Sequence, residues 1–108
     1  MIALFLLSGL AFHTLAADEA SFAPYRTCVE QKAGAAELAS TDIEILGAAK
    51  TACELQKDNA LAALVVADLA SAASGTEAKV PAKYRMEFMD IELTADVIAG
   101  LVTRRAAK

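Results

Sequence analysis

The sequence predicts an all-α protein: a disulfide-stapled antiparallel helical hairpin plus a third packing helix, a small three-helix bundle preceded by an N-terminal signal peptide. Three observations predict it. The only two cysteines, Cys28 and Cys53, lie 12 residues before Ser40 and 12 residues after Thr41, which places them level across a hairpin bent at Ser40-Thr41. Helix-forming residues with apolar positions at steps of three and four run through most of the chain. The one stretch with loop composition, SGTEAKVP, spans 74–81.

A chain of 108 residues has room for one domain. Alanine accounts for 26 of them, and the six aromatics include no Trp, so the core is built from small side chains. A domain this size gains much from a covalent staple. The net charge of −4 argues against nucleic-acid binding. The charge is uneven: 18–78 carries ten acids and four bases, whereas 79–108 carries four acids and six bases. Bases near a helix C-terminus suit the macrodipole; the alternative is a basic tail at Arg104, Arg105 and Lys108 that meets an acidic partner or lipid headgroups.

The first element, 1–17, reads MIALFLLSGLAFHTLAA and is followed at once by Asp18-Glu19. An apolar run ending in small residues is the outline of a secretory signal peptide, with Thr14-Leu15-Ala16 or Leu15-Ala16-Ala17 as the peptidase site. No Lys or Arg precedes the run. The rival readings are a membrane anchor, for which the run is shorter than the roughly 20 residues a span needs, and a buried helix. Residues 18–108 form the single helical domain.

Pro24 suits the first turn of a helix, so the first helix of the domain is expected to start there and to run to Ala39. Tyr25, Cys28, Val29, Ala35, Ala36 and Ala39 share its apolar face. Gly34 within it is expected to let a neighbouring backbone approach closely. Thr41-Asp42-Ile43-Glu44 fits a capping box and opens the second helix. That helix is expected to run from Asp42 to Ser74, with a kink or break possible at Asp58-Asn59. Leu46, Ala49, Cys53, Ala60, Leu64 and Ala67 form its first stripe; Leu61, Val65, Leu69 and Ala72 form a second. Gly75 is placed to end it.

The third helix is expected from Pro81 or Ala82 to about Arg105. Tyr84, Phe88, Ile91, Ala95, Ile98 and Val102 follow a heptad seam. Met86, Met89, Leu93, Val97 and Leu101 add apolar surface beside it. A small domain cannot cover both, so Tyr84, Phe88, Ile91, Ile98 and Val102 are the candidate interaction residues.

A cysteine pair in a secreted chain forms a disulfide. The small residues around the turn, Ala33, Gly34, Ala35, Ala36 and Ala39 facing Gly47, Ala48, Ala49 and Ala52, ease the approach it needs. There is no Cys-x-x-Cys, and the only histidine, His13, lies in the leader. No catalytic, cofactor-binding or metal residues are assigned. Asp90, Glu92 and Asp96 could gather on the third helix around a cation, and Met86-x-x-Met89 could hold Cu(I), but solvated acids and core methionines are the plainer readings.

The expectation is a small exported non-enzymatic protein, periplasmic or secreted. It is an interaction or structural module with a protein partner or itself, and no cofactor or nucleic acid is implied. The alternatives are membrane association and a metal- or ligand-binding bundle.

Overall fold

The computed structural model describes the backbone of residues 2–75 and 80–107, and side chains from residue 17 onward. Among the described residues there are four helices and no strands: α1 (Ile2–Ala35), α2 (Asp42–Ala52), α3 (Glu54–Ala73) and α4 (Ala82–Ala106). Residues 76–79, the middle of the expected loop, lie outside the described residues.

The chain departs from three helices because the expected long second helix breaks at Cys53. The break falls five residues before Asp58-Asn59, at a residue with no intrinsic breaking tendency. Cys53 has φ −109° and ψ 18°, and it both ends α2 and opens α3. Its amide donates to the Lys50 carbonyl at 3.1 Å, a tightened last turn. The cause is tertiary: Cys53 is fully buried and bonded to Cys28, with Cα atoms 6.0 Å apart. The disulfide thus forms where symmetry about the turn placed it, and it anchors the point where the chain bends.

At the turn, Thr41 caps α2. The Glu44 amide donates to Thr41 Oγ1 at 3.2 Å, and the Thr41 hydroxyl donates to Glu44 Oε1 at 2.9 Å. The glutamate therefore reaches back to the hydroxyl of the capping residue. Gly75, at φ +82°, sits just past the α3 cap, where an L side chain would be strained.

Two expectations for the first helix are corrected. The helix does not begin at Pro24; α1 runs through it, with Pro24 exposed and its ring unable to donate a backbone hydrogen bond. Phe22 and Tyr25, on either side, are fully buried and pack edge-to-face with ring centroids 5.4 Å apart. This aromatic anchoring offsets the lost bond. The helix also ends at Ala35 rather than Ala39, and residues 36–41 form the connection. Nothing lies within 4 Å of a Cβ built at Gly34 or Gly47, so neither provides the expected close approach. Of the small residues around the turn, Ala33 and Ala49 are the buried ones.

Side-chain pairs fix the packing order. Asp18 meets Arg85, Arg26 meets Asp96, and Arg104 meets the end of α1, so α4 runs parallel to α1. Arg105 meets Asp42, Asp90 meets Lys50, and Arg85 meets Asp68, so α4 runs antiparallel to α2 and α3. The architecture is an up-down-up bundle whose middle member is broken. Its core includes Phe22, Tyr25, Val29, Cys53, Leu64 and Leu93 at or near zero exposure. The expected first stripe holds at Ala49, Cys53, Ala60 and Leu64, with Leu46 half-buried and Ala67 exposed. The second stripe does not: Leu61 is half-buried, and Val65, Leu69 and Ala72 are exposed.

Candidate interaction surface

α4 starts after Pro81, whose carbonyl accepts from the Tyr84 and Arg85 amides at 3.0 and 3.2 Å. Its buried face is Ala82 together with Met86, Met89, Leu93, Val97 and Leu101, the five expected to flank the seam. The expected seam points the other way. Tyr84 and Val102 are 53 % exposed and Phe88 and Ile91 65 %, with Ala95 exposed and Ile98 half-buried. At 100° per residue, Ile91 and Ala95 lie some 160° from Leu93 on opposite sides, so the stripe is centred opposite the core. All five candidate interaction residues therefore lie along one outward face of α4.

Polar side chains beside the inner face decide this orientation. Arg85 donates to Asp68 at 2.8 and 3.1 Å, to Asp18 at 3.0 and 3.4 Å, and to the Val80 carbonyl at 2.7 Å. The Asp68 hydrogen bond is the main cause raising the Arg85 pKa, so the guanidinium is a fixed cation between two acids. At mid-helix, Lys50 donates to Asp90 at 3.0 Å and to Thr94 at 2.7 Å, while the Thr94 hydroxyl donates to the Asp90 carbonyl. The buried Tyr25 phenol reaches Asp90 at a long 3.4 Å; burial first, then the Asp90 charge and hydrogen bond, raise its pKa above the usual tyrosine value.

The far end closes differently from what charge alone implied. Arg104 donates to the carbonyls of Ala33 and Ala36, both at 3.0 Å. Arg105 donates to Leu38 and Ser40 carbonyls at 2.8 and 2.6 Å and to Asp42 at 2.6 Å. The two bases sit in the last turn of α4, as its macrodipole favours, and Arg104 also caps the end of α1, whose last carbonyls have no partner within the helix. These contacts explain why α1 stops at Ala35. They also engage both guanidiniums that the lipid-headgroup reading would use; Lys108 lies outside the described residues.

The other candidate groups do not assemble. Asp90 binds Lys50, Asp96 binds Arg26, and Glu92 is exposed. Met86 and Met89 are buried in the core. Among the described residues no group of three or more His, Cys, Asp or Glu side chains could hold a metal ion. None of these helices is long and apolar enough to cross a membrane.

Sequence reasoning missed a further apolar area. On α3, Leu55, Val66 and Leu69 are each about two-thirds exposed. Leu69 also borders an open groove of about 510 Å³ lined by Leu61, Val65, Ala72, Pro81 and Ala82, with Asp68 and Lys83 as its charged members. The signal for it is the second stripe of this helix, whose Val65 and Leu69 face outward. The fold and surface define a class: a disulfide-bonded helical bundle with an uncovered apolar helix face. Comparison with protein-family models, curated proteins and solved structures finds no match.

Proposed function

We propose that this chain is a small non-enzymatic interaction module of an oxidising compartment, periplasmic or secreted, and that the outer face of α4 is its docking surface. One observation carries the reading: Tyr84, Phe88, Ile91 and Val102 stay at least half exposed in a line on α4 while the opposite face is fully engaged. Large apolar side chains gathered in one place on a small protein mark a contact surface. The test is photocrosslinking in the producing cell, with benzoylphenylalanine at Phe88 and, as control, at exposed Glu37. Adducts specific to position 88 are expected. Their absence would sink the reading.

The compartment part rests on the Cys28–Cys53 disulfide, which is compatible with an oxidising environment. Export is proposed through removal of residues 1–17. Removal would leave Asp18 and Glu19 in the first turn of the shortened α1, where carboxylates suit the positive end of the helix dipole. Asp18 would keep its ion pair with Arg85. The intact mass of the exported product, purified without reductant, checks both points. Loss of 16 or 17 residues and a further deficit of about 2 Da are expected; an uncleaved chain with free thiols would overturn export.

A further inference from the structure

We infer that the cavity between α1 and α4 binds a small linear zwitterion, a cation and a carboxylate joined by an alkyl chain, the class that includes free lysine and the ω-amino carboxylates. The site lies apart from the outer face of α4 and does not depend on it. The cavity holds about 210 Å³. Its floor is apolar and belongs to the core: Ala33, Val97 and Leu101 are all buried.

Each helix contributes a glycine to its wall, Gly34 in the last turn of α1 and Gly100 in the interior of α4. After proline, glycine is the least favourable residue inside a helix. Packing does not call for either one, because a Cβ built at Gly34 or Gly100 would meet nothing within 4 Å. Their missing side chains instead keep the space between the helices open.

The two ends of the cavity carry opposite charge. At one end Glu30 and Asp96 share the Arg26 guanidinium with Glu19, at 3.7, 3.1 and 3.7 Å respectively, so three carboxylates face one cation. At the other end Arg104 meets only the neutral carbonyls of Ala33 and Ala36 and pairs with no carboxylate among the described residues. Those two bonds come from its terminal nitrogens, and the Nε–H is left over. A carboxylate laid side-on against a guanidinium uses that hydrogen together with a second one on a terminal nitrogen.

The spacing sets the length of the ligand. Asp96 and Arg104 are eight residues apart on α4, about 12 Å at 1.5 Å per residue. A hydrogen bond of about 3 Å at each end leaves about 6 Å for a short alkyl chain over the apolar floor. A plain carboxylate would place its tail against Glu30 and Asp96, and a plain amine would leave Arg104 without a counter-ion. The zwitterion satisfies both ends at once.

The test is isothermal titration calorimetry on the full exported chain with its native disulfide intact, using ε-aminocaproate, caproate and hexylamine as probes. The first is expected to bind at least about tenfold more tightly than either of the others, as hydrogen bonds to charged groups at both ends imply. Equal binding of all three would overturn the charge assignment. No heat from ε-aminocaproate at millimolar concentration would overturn the site. Gly100→Leu puts a side chain into the cavity and is expected to abolish binding without lowering the melting temperature; unchanged binding would overturn the location. Glu30→Gln alters an exposed side chain and keeps the proposal testable if the leucine variant folds poorly. It is expected to weaken ε-aminocaproate several-fold and to leave caproate no weaker. Equal weakening of both would overturn the assignment of the cation to that end.

Discussion

The two faces of α4 are nearly equal in apolar content and opposite in fate. The inner one, Met86, Met89, Leu93, Val97 and Leu101, is buried; the outer one, Tyr84, Phe88, Ile91 and Val102, faces out. By hydrophobicity and regularity the outer stripe is the better seam, since it holds both aromatic residues of the helix. What separates the faces is their neighbours. Arg85, Asp90, Thr94 and Arg104 flank the inner stripe, and each finds a partner on α1, α2 or α3. The outer stripe is flanked by Glu87 and Glu92, both exposed. Charged side chains cannot be buried unpaired, so the face whose polar neighbours can be satisfied across the interface is the one that goes in.

The sharpest way to break the comparison is to truncate one side chain on each face. Leu93→Ala is expected to cost about 2–5 kcal/mol, because Leu93 is fully buried and its removal leaves a cavity. Ile91→Ala is expected to change the stability of the monomer by no more than about 0.5 kcal/mol. Urea denaturation of both at low protein concentration checks this. Equal losses would mean that the faces are assigned the wrong way round.

Next in size is the staple beneath the inner face. Replacing Cys28 and Cys53 by Ser is expected to cost about 3–4 kcal/mol, from the chain entropy of a loop spanning 25 residues. Because Cys53 is also where α2 meets α3, the loss should include a local change: faster amide exchange at Ala52 to Lys57 than elsewhere in the bundle. Uniform exchange across α2 and α3 would show that the break is independent of the bond.

Arg85 tests the polar flank itself. Arg85→Ala leaves Asp18 and Asp68 near each other without the cation between them. The expected loss is about 1.5–3 kcal/mol, the range for hydrogen bonds to charged groups. Restoring it in part by also changing Asp68 to Asn would identify the unpaired acids as the source. Thermal melts of the single and double variants measure the difference.

Much of the bundle was legible because local chemistry decides it. Thr41 and Glu44 carry their cap within four residues, Gly75 carries its positive φ, and the cysteines are symmetric about the turn. The features that were not legible depend on groups distant in sequence. The end of α1 depends on Arg104 and Arg105, some 70 residues away, and the break at Cys53 depends on Cys28. Pro24 signals a helix start, and only the burial of Phe22 and Tyr25 keeps the helix running through it. That Tyr84, Phe88, Ile91, Ile98 and Val102 share one line on a helix follows from their spacing. Their exposure could not be read from spacing alone, since the period is the same for a seam that is covered and one that is not.

The smallest expected effect sits where the inner face meets the hairpin. The Tyr25 phenol is buried against Asp90, and both burial and that carboxylate favour its neutral form. Its pKa is raised above the ordinary tyrosine value of about 10, near which the phenol ionises in the unfolded chain. The sign follows: the contribution to stability is fully present below pH 10 and is lost as pH rises through 10 toward the folded pKa, because the unfolded state releases the proton first. Stability measured by urea denaturation should therefore fall above pH 10 more steeply in the native chain than in Tyr25→Phe, which has no proton to release there. Parallel slopes would mean that the phenol is open to solvent and that the inner face of α4 is looser at Asp90 than at Leu93.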